Sequence, residues 1–151
     1  MLLSHTFLYN YYAFGATIVS NTYSNGKGVI TFVGDVTEIG SSSFSDCSSL
    51  TSVTIGDSVT TIGNHAFAFC SRLTSVTIPD SVITIGNDAF HSCSSLISVY
   101  CKAVTPPALG DYVFYFNGSG RKIYVPTESV DAYKSATRWS EYASVIVGYD
   151  F

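Results

Sequence analysis

Residues 36–55 read Val-Thr-Glu-Ile-Gly-Ser-Ser-Ser-Phe-Ser-Asp-Cys-Ser-Ser-Leu-Thr-Ser-Val-Thr-Ile, and the same pattern returns at 59–78 and 82–101, each copy 23 residues after the last. The shared unit is V-x-x-I-G-x-x-x-F-x-x-C-S-x-L-x-S-V-x-I. Val36, Val59 and Val82 open it. Ile39, Ile62 and Ile85 follow, each before a glycine, and then Phe44, Phe67 and Phe90. Cys47, Cys70 and Cys93, Leu50, Leu73 and Leu96, and Val53, Val76 and Val99 complete the register. So short a unit cannot bury an apolar face alone, whereas stacked copies turn each apolar column into a continuous ladder. The repeat decides the fold.

The period extends in both directions. Ile30 and Phe32 stand 23 residues before Val53 and Ile55. Beyond Val99 one residue is inserted near Pro106-Pro107. Leu109-Gly110, Phe114, Ile123 and Val125 then continue the columns, with Asn117 and Gly120 at the cysteine and leucine positions. The segment L-x-S-V-x-I alternates apolar and polar with β-branched residues, which predicts a strand with one face inward. Parallel strands are expected at Val29–Phe32, Val53–Ile55, Val76–Ile78, Val99–Cys101 and Ile123–Val125. The Ile-Gly pair predicts a turn with an open φ, and x-x-x-F-x-x-C-S a return along the opposite face as a helical turn or loop. The expected fold is therefore a β-rich solenoid of the leucine-rich-repeat type, with a parallel sheet on one side.

The chain divides accordingly into an unassigned segment 1–15, a solenoid with its N-terminal cap over 16–125, and a C-terminal helical cap over 126–151. Open ends of a solenoid invite edge pairing and need covering. Ala-Thr-Ile-Val, Asn25-Gly26 and Val-Ile-Thr-Phe within 16–32 predict a hairpin. Glu128 to Ala136 reads as a helix with Thr127 as N-cap, and Trp139, Tyr142 and Ile146 continue at near-helical spacing as an apolar plug. Tyr9, Tyr11, Tyr12 and Phe14 follow no period.

Composition restricts the function classes. Charged residues are 12% and hydrophobic ones 46%, which excludes a disordered chain. A net charge of −4 with seven Lys and Arg gives no basic stripe for nucleic acid. No apolar run is long enough to span a membrane as a helix, and the N-terminus does not read as a convincing signal peptide. The cysteine register argues for buried free thiols, because parallel side chains on adjacent coils give poor disulfide geometry. Cys101 stands in an isoleucine column and is expected to be buried as well.

The copies Cys-Ser-Ser-Leu-Thr-Ser-Val-Thr-Ile at 47–55, 70–78 and 93–101, with Asp-Ser-Val-x-x-Ile-Gly at 57–63 and 80–86, resemble the BspA-like leucine-rich repeats of bacterial and protist surface proteins. That resemblance covers roughly residues 28–125. It implies an extracellular or cell-surface protein with an adhesive role toward a protein or glycan ligand, host extracellular matrix included.

Chemistry is sparse. Ser42, His65 and Asp88 occupy one column in the order of nucleophile, base and orienter. The column lies in an exposed loop without a nucleophile elbow or oxyanion hole, so a hydrolase is an outsider. Asp57 and Asp80 lack the further oxygens a Ca²⁺ site needs and read as turn residues accepting backbone N–H bonds. Neither metal nor cofactor is indicated. The outward strand positions remain: Thr54 and Thr77 in the middle, then Tyr100, Lys122 and Tyr124 toward the C-terminus. Tyr favours protein and glycan contacts, so these five residues form the expected binding surface of a non-enzymatic adhesion module. A spacer within a longer stalk is the alternative.

Overall fold

A computed structural model of the chain describes residues 14–24 and 27–151. Tyr9, Tyr11, Tyr12 and the Asn25-Gly26 turn lie outside the described residues. The periodic valines form a parallel sheet, as alternation requires. Its strands include β4 (Ser52–Thr54), β6 (Ser75–Ile78), β8 (Ser98–Cys101) and β10 (Lys122–Pro126). They pair one coil to the next without a register slip: Val53 opposes Val76, Val76 opposes Val99, and Val99 opposes Ile123.

A second parallel sheet stands where a turn alone was expected. It is built from β3 (Glu38–Ile39), β5 (Thr61–Ile62), β7 (Thr84–Ile85) and β9 (Ala108–Leu109), in that order. The pairing of Ile85 with Leu109 absorbs the extra residue near Pro106-Pro107. The glycines after these isoleucines do not occupy an open φ, contrary to expectation. They are needed for close approach. A Cβ on Gly86 would come within 2.7 Å of the Asn64 nitrogen, and one on Gly110 within 2.5 Å of the Asn87 nitrogen. The neighbouring asparagines use that proximity: Asn64 Oδ1 accepts from Asn87 N at 2.8 Å, and Asn87 Oδ1 from Asp111 N at 2.9 Å.

The third side of each coil is a run of tight turns. Left-handed φ values recur in register at Ser42, His65, Asp88 and Tyr112, and again at Asp46, Phe69, Ser92 and Phe116. Alternate amides along this side donate to the next coil, as in His65 N to Asn87 O, Phe67 N to Ala89 O and Phe69 N to His91 O, each 2.8 Å. The return segment is thus a hydrogen-bonded ladder of turns. Its inward residues are the phenylalanines. Phe44, Phe67, Phe90 and Phe114 stack at 5.1, 5.2 and 5.7 Å between centroids, with planes within 10° of parallel.

The thiols follow the ladder. All four cysteines are free; Cys70, Cys93 and Cys101 are buried, and Cys47 in the first described coil only half so. Cys70 and Cys93 each donate at 3.1 Å to the phenylalanine carbonyl of the preceding coil. Asn117 replaces them in the last coil and makes the same bond, Nδ2 to Phe90 O at 2.7 Å. This position keeps a donor where the sequence reads as degraded, and the amide of the Asn117-Gly-Ser sequon is engaged.

The ends depart most from expectation. Val29–Phe32 does not join the parallel sheet. It belongs to β2 (Lys27–Val33), which pairs antiparallel with β1 (Thr17–Ser24), so a hairpin forms as its turn residues predict. Phe14 is buried, packs edge-on against Phe44 at 5.9 Å, and its carbonyl accepts from Thr37 N at 3.1 Å. At the other end the helix is shorter than the propensities suggest: a 3-10 turn at Thr127–Ser129 leads into α1 (Val130–Ser135). Thr127 does not cap it. Its hydroxyl donates to Asp150 Oδ1 at 2.8 Å instead. Trp139 and Tyr142 are buried in a 3-10 stretch, Trp139–Val145, against Phe114. Ile146 does not extend that plug helically. It opens β11 (Ile146–Tyr149), a parallel strand that adds to β10 and completes a five-stranded sheet ordered β11-β10-β8-β6-β4.

Candidate functional site

The outward face of the five-stranded sheet is laid out by register. Thr54, Thr77, Tyr100, Tyr124 and Val147 form one row across β4, β6, β8, β10 and β11. Ser52, Ser75, Ser98 and Lys122 form the parallel row two residues earlier. Because the inward neighbours Val76, Val99, Ile123 and Cys101 are fully enclosed, the sheet is held flat against the core and this face is rigid.

Tyr100 and Tyr124 stack with centroids 4.7 Å apart and planes 13° from parallel. That separation matches the spacing of neighbouring strands, so the rings stand over one another along the axis of stacking. Tyr149 meets both edge-on, at 5.4 Å from Tyr100 and 5.6 Å from Tyr124, and Phe151 lies 5.0 Å beyond it. Four aromatic rings therefore make one exposed cluster, edge-to-face contacts being favoured by the ring quadrupole. Lys122 is exposed on the same face, and among the described residues no ion pair engages it. Sequence reasoning found Tyr100, Lys122 and Tyr124 but missed Tyr149 and Phe151. No repeat register reaches β11; only the alternation of Ile146, Gly148 and Asp150 with Val147, Tyr149 and Phe151 could have marked it.

The Ser42, His65 and Asp88 column is assembled only in part. His65 Nε2 lies 3.6 Å from Asp88 Oδ2, and His91 Nδ1 lies 3.2 Å from Asp88 Oδ1 but off the hydrogen-bonding direction. Among the described residues no hydrogen bond joins Ser42 to His65. The arrangement shares one carboxylate between two imidazoles and leaves the hydroxyl unactivated. Around it lies a second aromatic surface that the sequence reading passed over. His91 sits between the rings of Phe69 at 5.8 Å and Phe116 at 5.4 Å, both edge-on and both exposed. Its signal was an aromatic residue at a position occupied elsewhere by Asp46 and Ser92.

Neither Asp57 nor Asp80 accepts a backbone N–H among the described residues. Their turns are closed instead by Val59 N to Gly56 O and Val82 N to Pro79 O. Among the described residues no cluster of His, Cys, Asp and Glu could hold a metal ion. No helix among them is long and apolar enough to cross a membrane. A cavity of about 320 Å³ opens at the first coil, lined by Val36, Ile39, Phe44, Val53, Ile55 and Phe67, and offers no group that could do chemistry.

A family model described as BspA type leucine-rich repeat region matches residues 16–140 in 6 copies. No curated protein matches the chain.

Proposed function

From the premise that the chain belongs to the BspA-type leucine-rich repeat family, we propose that it is a non-enzymatic binding module of the adhesive kind, working at a cell surface or in the extracellular space. The family is commonly surface-associated or secreted, and repeat proteins bind through rigid extended faces. The single observation that carries the reading is the exposed cluster of Tyr100, Tyr124, Tyr149 and Phe151 beside Lys122 on the sheet face. Aromatic anchors backed by a rigid floor are the usual centres of binding energy. The hairpin β1–β2 and the unit of α1, Trp139 and Tyr142 serve as the two caps, which leaves the sheet face between them for recognition.

The test is binding of the purified chain to immobilised extracellular-matrix and cell-surface glycoproteins. The double substitution Tyr100→Thr with Tyr124→Thr reproduces the pattern of the central strands and leaves folding intact. It is expected to weaken binding at least about tenfold. Unchanged binding would remove the sheet face from consideration and favour the Phe69, His91 and Phe116 surface. The spacer alternative draws on the bare Ser/Thr rows of β4 and β6; it predicts no binding in either protein. Enzyme activity is checked with a panel of activated esters. Hydrolysis that disappears on Ser42→Ala would overturn the non-enzymatic assignment.

A further inference from the structure

Resting on the reading of the sheet face as the binding surface, we propose that its ligand is a neutral saccharide chain, which lies across β4 and β6 and stacks a sugar ring on the free face of Tyr100.

The argument starts from which ring faces remain open. Tyr100 and Tyr124 cover one another's inner faces, and Tyr149 takes a shared edge. The stacking axis runs along the strand ladder, so the second face of Tyr100 looks out over β6, where its register partner is Thr77. Next in the row is Thr54 on β4. A threonine side chain is far shorter than a tyrosine ring. The Tyr100 ring therefore stands as a wall at one side of a low floor made by Ser52, Thr54, Ser75 and Thr77, with Ser98 at the foot of the wall.

The chemistry of that floor selects the occupant. None of these five residues is charged, and the first charge on the face is Lys122, two strands beyond Thr77. A partner recognised through ions finds nothing to pair with there, and Ser is depleted in protein–protein interfaces. Hydroxyls that both donate and accept suit a ligand whose own groups do the same. A pyranose supplies such hydroxyls at its rim and polarised C–H groups on its face, which are drawn to the negative face of an aromatic ring. Floor and wall thus correspond to the two kinds of surface on one sugar.

The experiment titrates the full chain with neutral oligosaccharides of gluco, manno, galacto and xylo configuration, followed by NMR shifts of the β6 and β8 amides. At least one series is expected to bind. Thr77→Tyr, which extends the stack by one register position and covers the open face, is expected to weaken that binding at least about tenfold while Tyr100, Tyr124 and Tyr149 all remain. Tyr100→Thr is expected to do the same by removing the wall. Binding by no series, or equal binding by the Thr77→Tyr protein, overturns the proposal. Glycoprotein binding that survives enzymatic deglycosylation yet is lost in the Tyr100, Tyr124 double variant also overturns it, and leaves the sheet face standing as a protein-binding surface. Glycoprotein binding indifferent to the double variant removes the sheet-face reading itself.

Discussion

At the scale of single residues, the polar atoms inside the solenoid are few and each has a defined task. Tyr133 donates its one hydroxyl proton to Ala103 O at 2.8 Å, so the Cys101 thiol, 3.2 Å from that oxygen, is the donor in their contact. Burial removes the solvation a thiolate would need and pushes Cys101 from its ordinary value of 9.0 up to about 11. The folded state therefore favours the neutral thiol. Its contribution is fully present below pH 9 and is lost as pH rises toward 11. Stability is expected to fall by about 1 kcal/mol between pH 9 and pH 10 on this account. Urea midpoints across that interval check it: the decline should be shallower in Cys101→Ala, whatever that variant's starting stability.

At the scale of elements, the glycine that follows each isoleucine sets how closely the coils approach. A methyl group on Gly86 would lie 2.7 Å from the Asn64 nitrogen and 2.9 Å from the Gly63 carbonyl carbon. Both are backbone atoms of the previous coil and cannot step aside. Gly86→Ala is expected to cost about 2–3 kcal/mol through forced separation of β5 and β7. Gly56→Ala is the control, since nothing lies within 4 Å of its added carbon, and should change stability by less than about 0.5 kcal/mol. Equal denaturation midpoints for the two variants would remove close approach as the reason for the repeated glycine. The same scale explains why the helical forecast at the C-terminus was too long. Pro126 and the pairing of Thr127 with Asp150 tie the start of that segment to the end of β11, which leaves only six residues for α1.

Over the whole molecule, stability is a sum of coil-to-coil interfaces, and those interfaces are unequal. Phe67, Cys70 and Leu73, and likewise Phe90, Cys93 and Leu96, are fully enclosed. Their counterparts Phe44, Cys47 and Leu50 are only partly buried. A quasi-one-dimensional array opens first where its nearest-neighbour burial is least. Hydrogen exchange is expected to be slowest at the amides of Phe67 and Phe90, and faster by at least about tenfold at those of Phe44 and Asp46. Uniform protection along the chain would mean that the array opens as a single unit. Thiol labelling should follow the same order, with Cys47 modified first and all four cysteines reactive once the chain is unfolded without reductant.

What the sequence determined by itself is whatever repeats. Seven apolar columns in one register can be satisfied only by stacking, so the valine strands, the phenylalanine spine and the free thiols were legible before any coordinates, as were Tyr100 and Tyr124 side by side. What only the tertiary structure decided is whatever depends on a neighbour outside the period. Val29–Phe32 carries the right spacing for a coil but pairs antiparallel with β1, because spacing does not state which edge a strand will meet. Ile146 sits at helical spacing after Trp139 and Tyr142, yet the open edge of β10 draws it into a strand. That strand delivers Tyr149 and Phe151 to the tyrosine pair. The repeat placed the wall and floor of the sheet face, and a single unrepeated strand pairing completed the aromatic cluster.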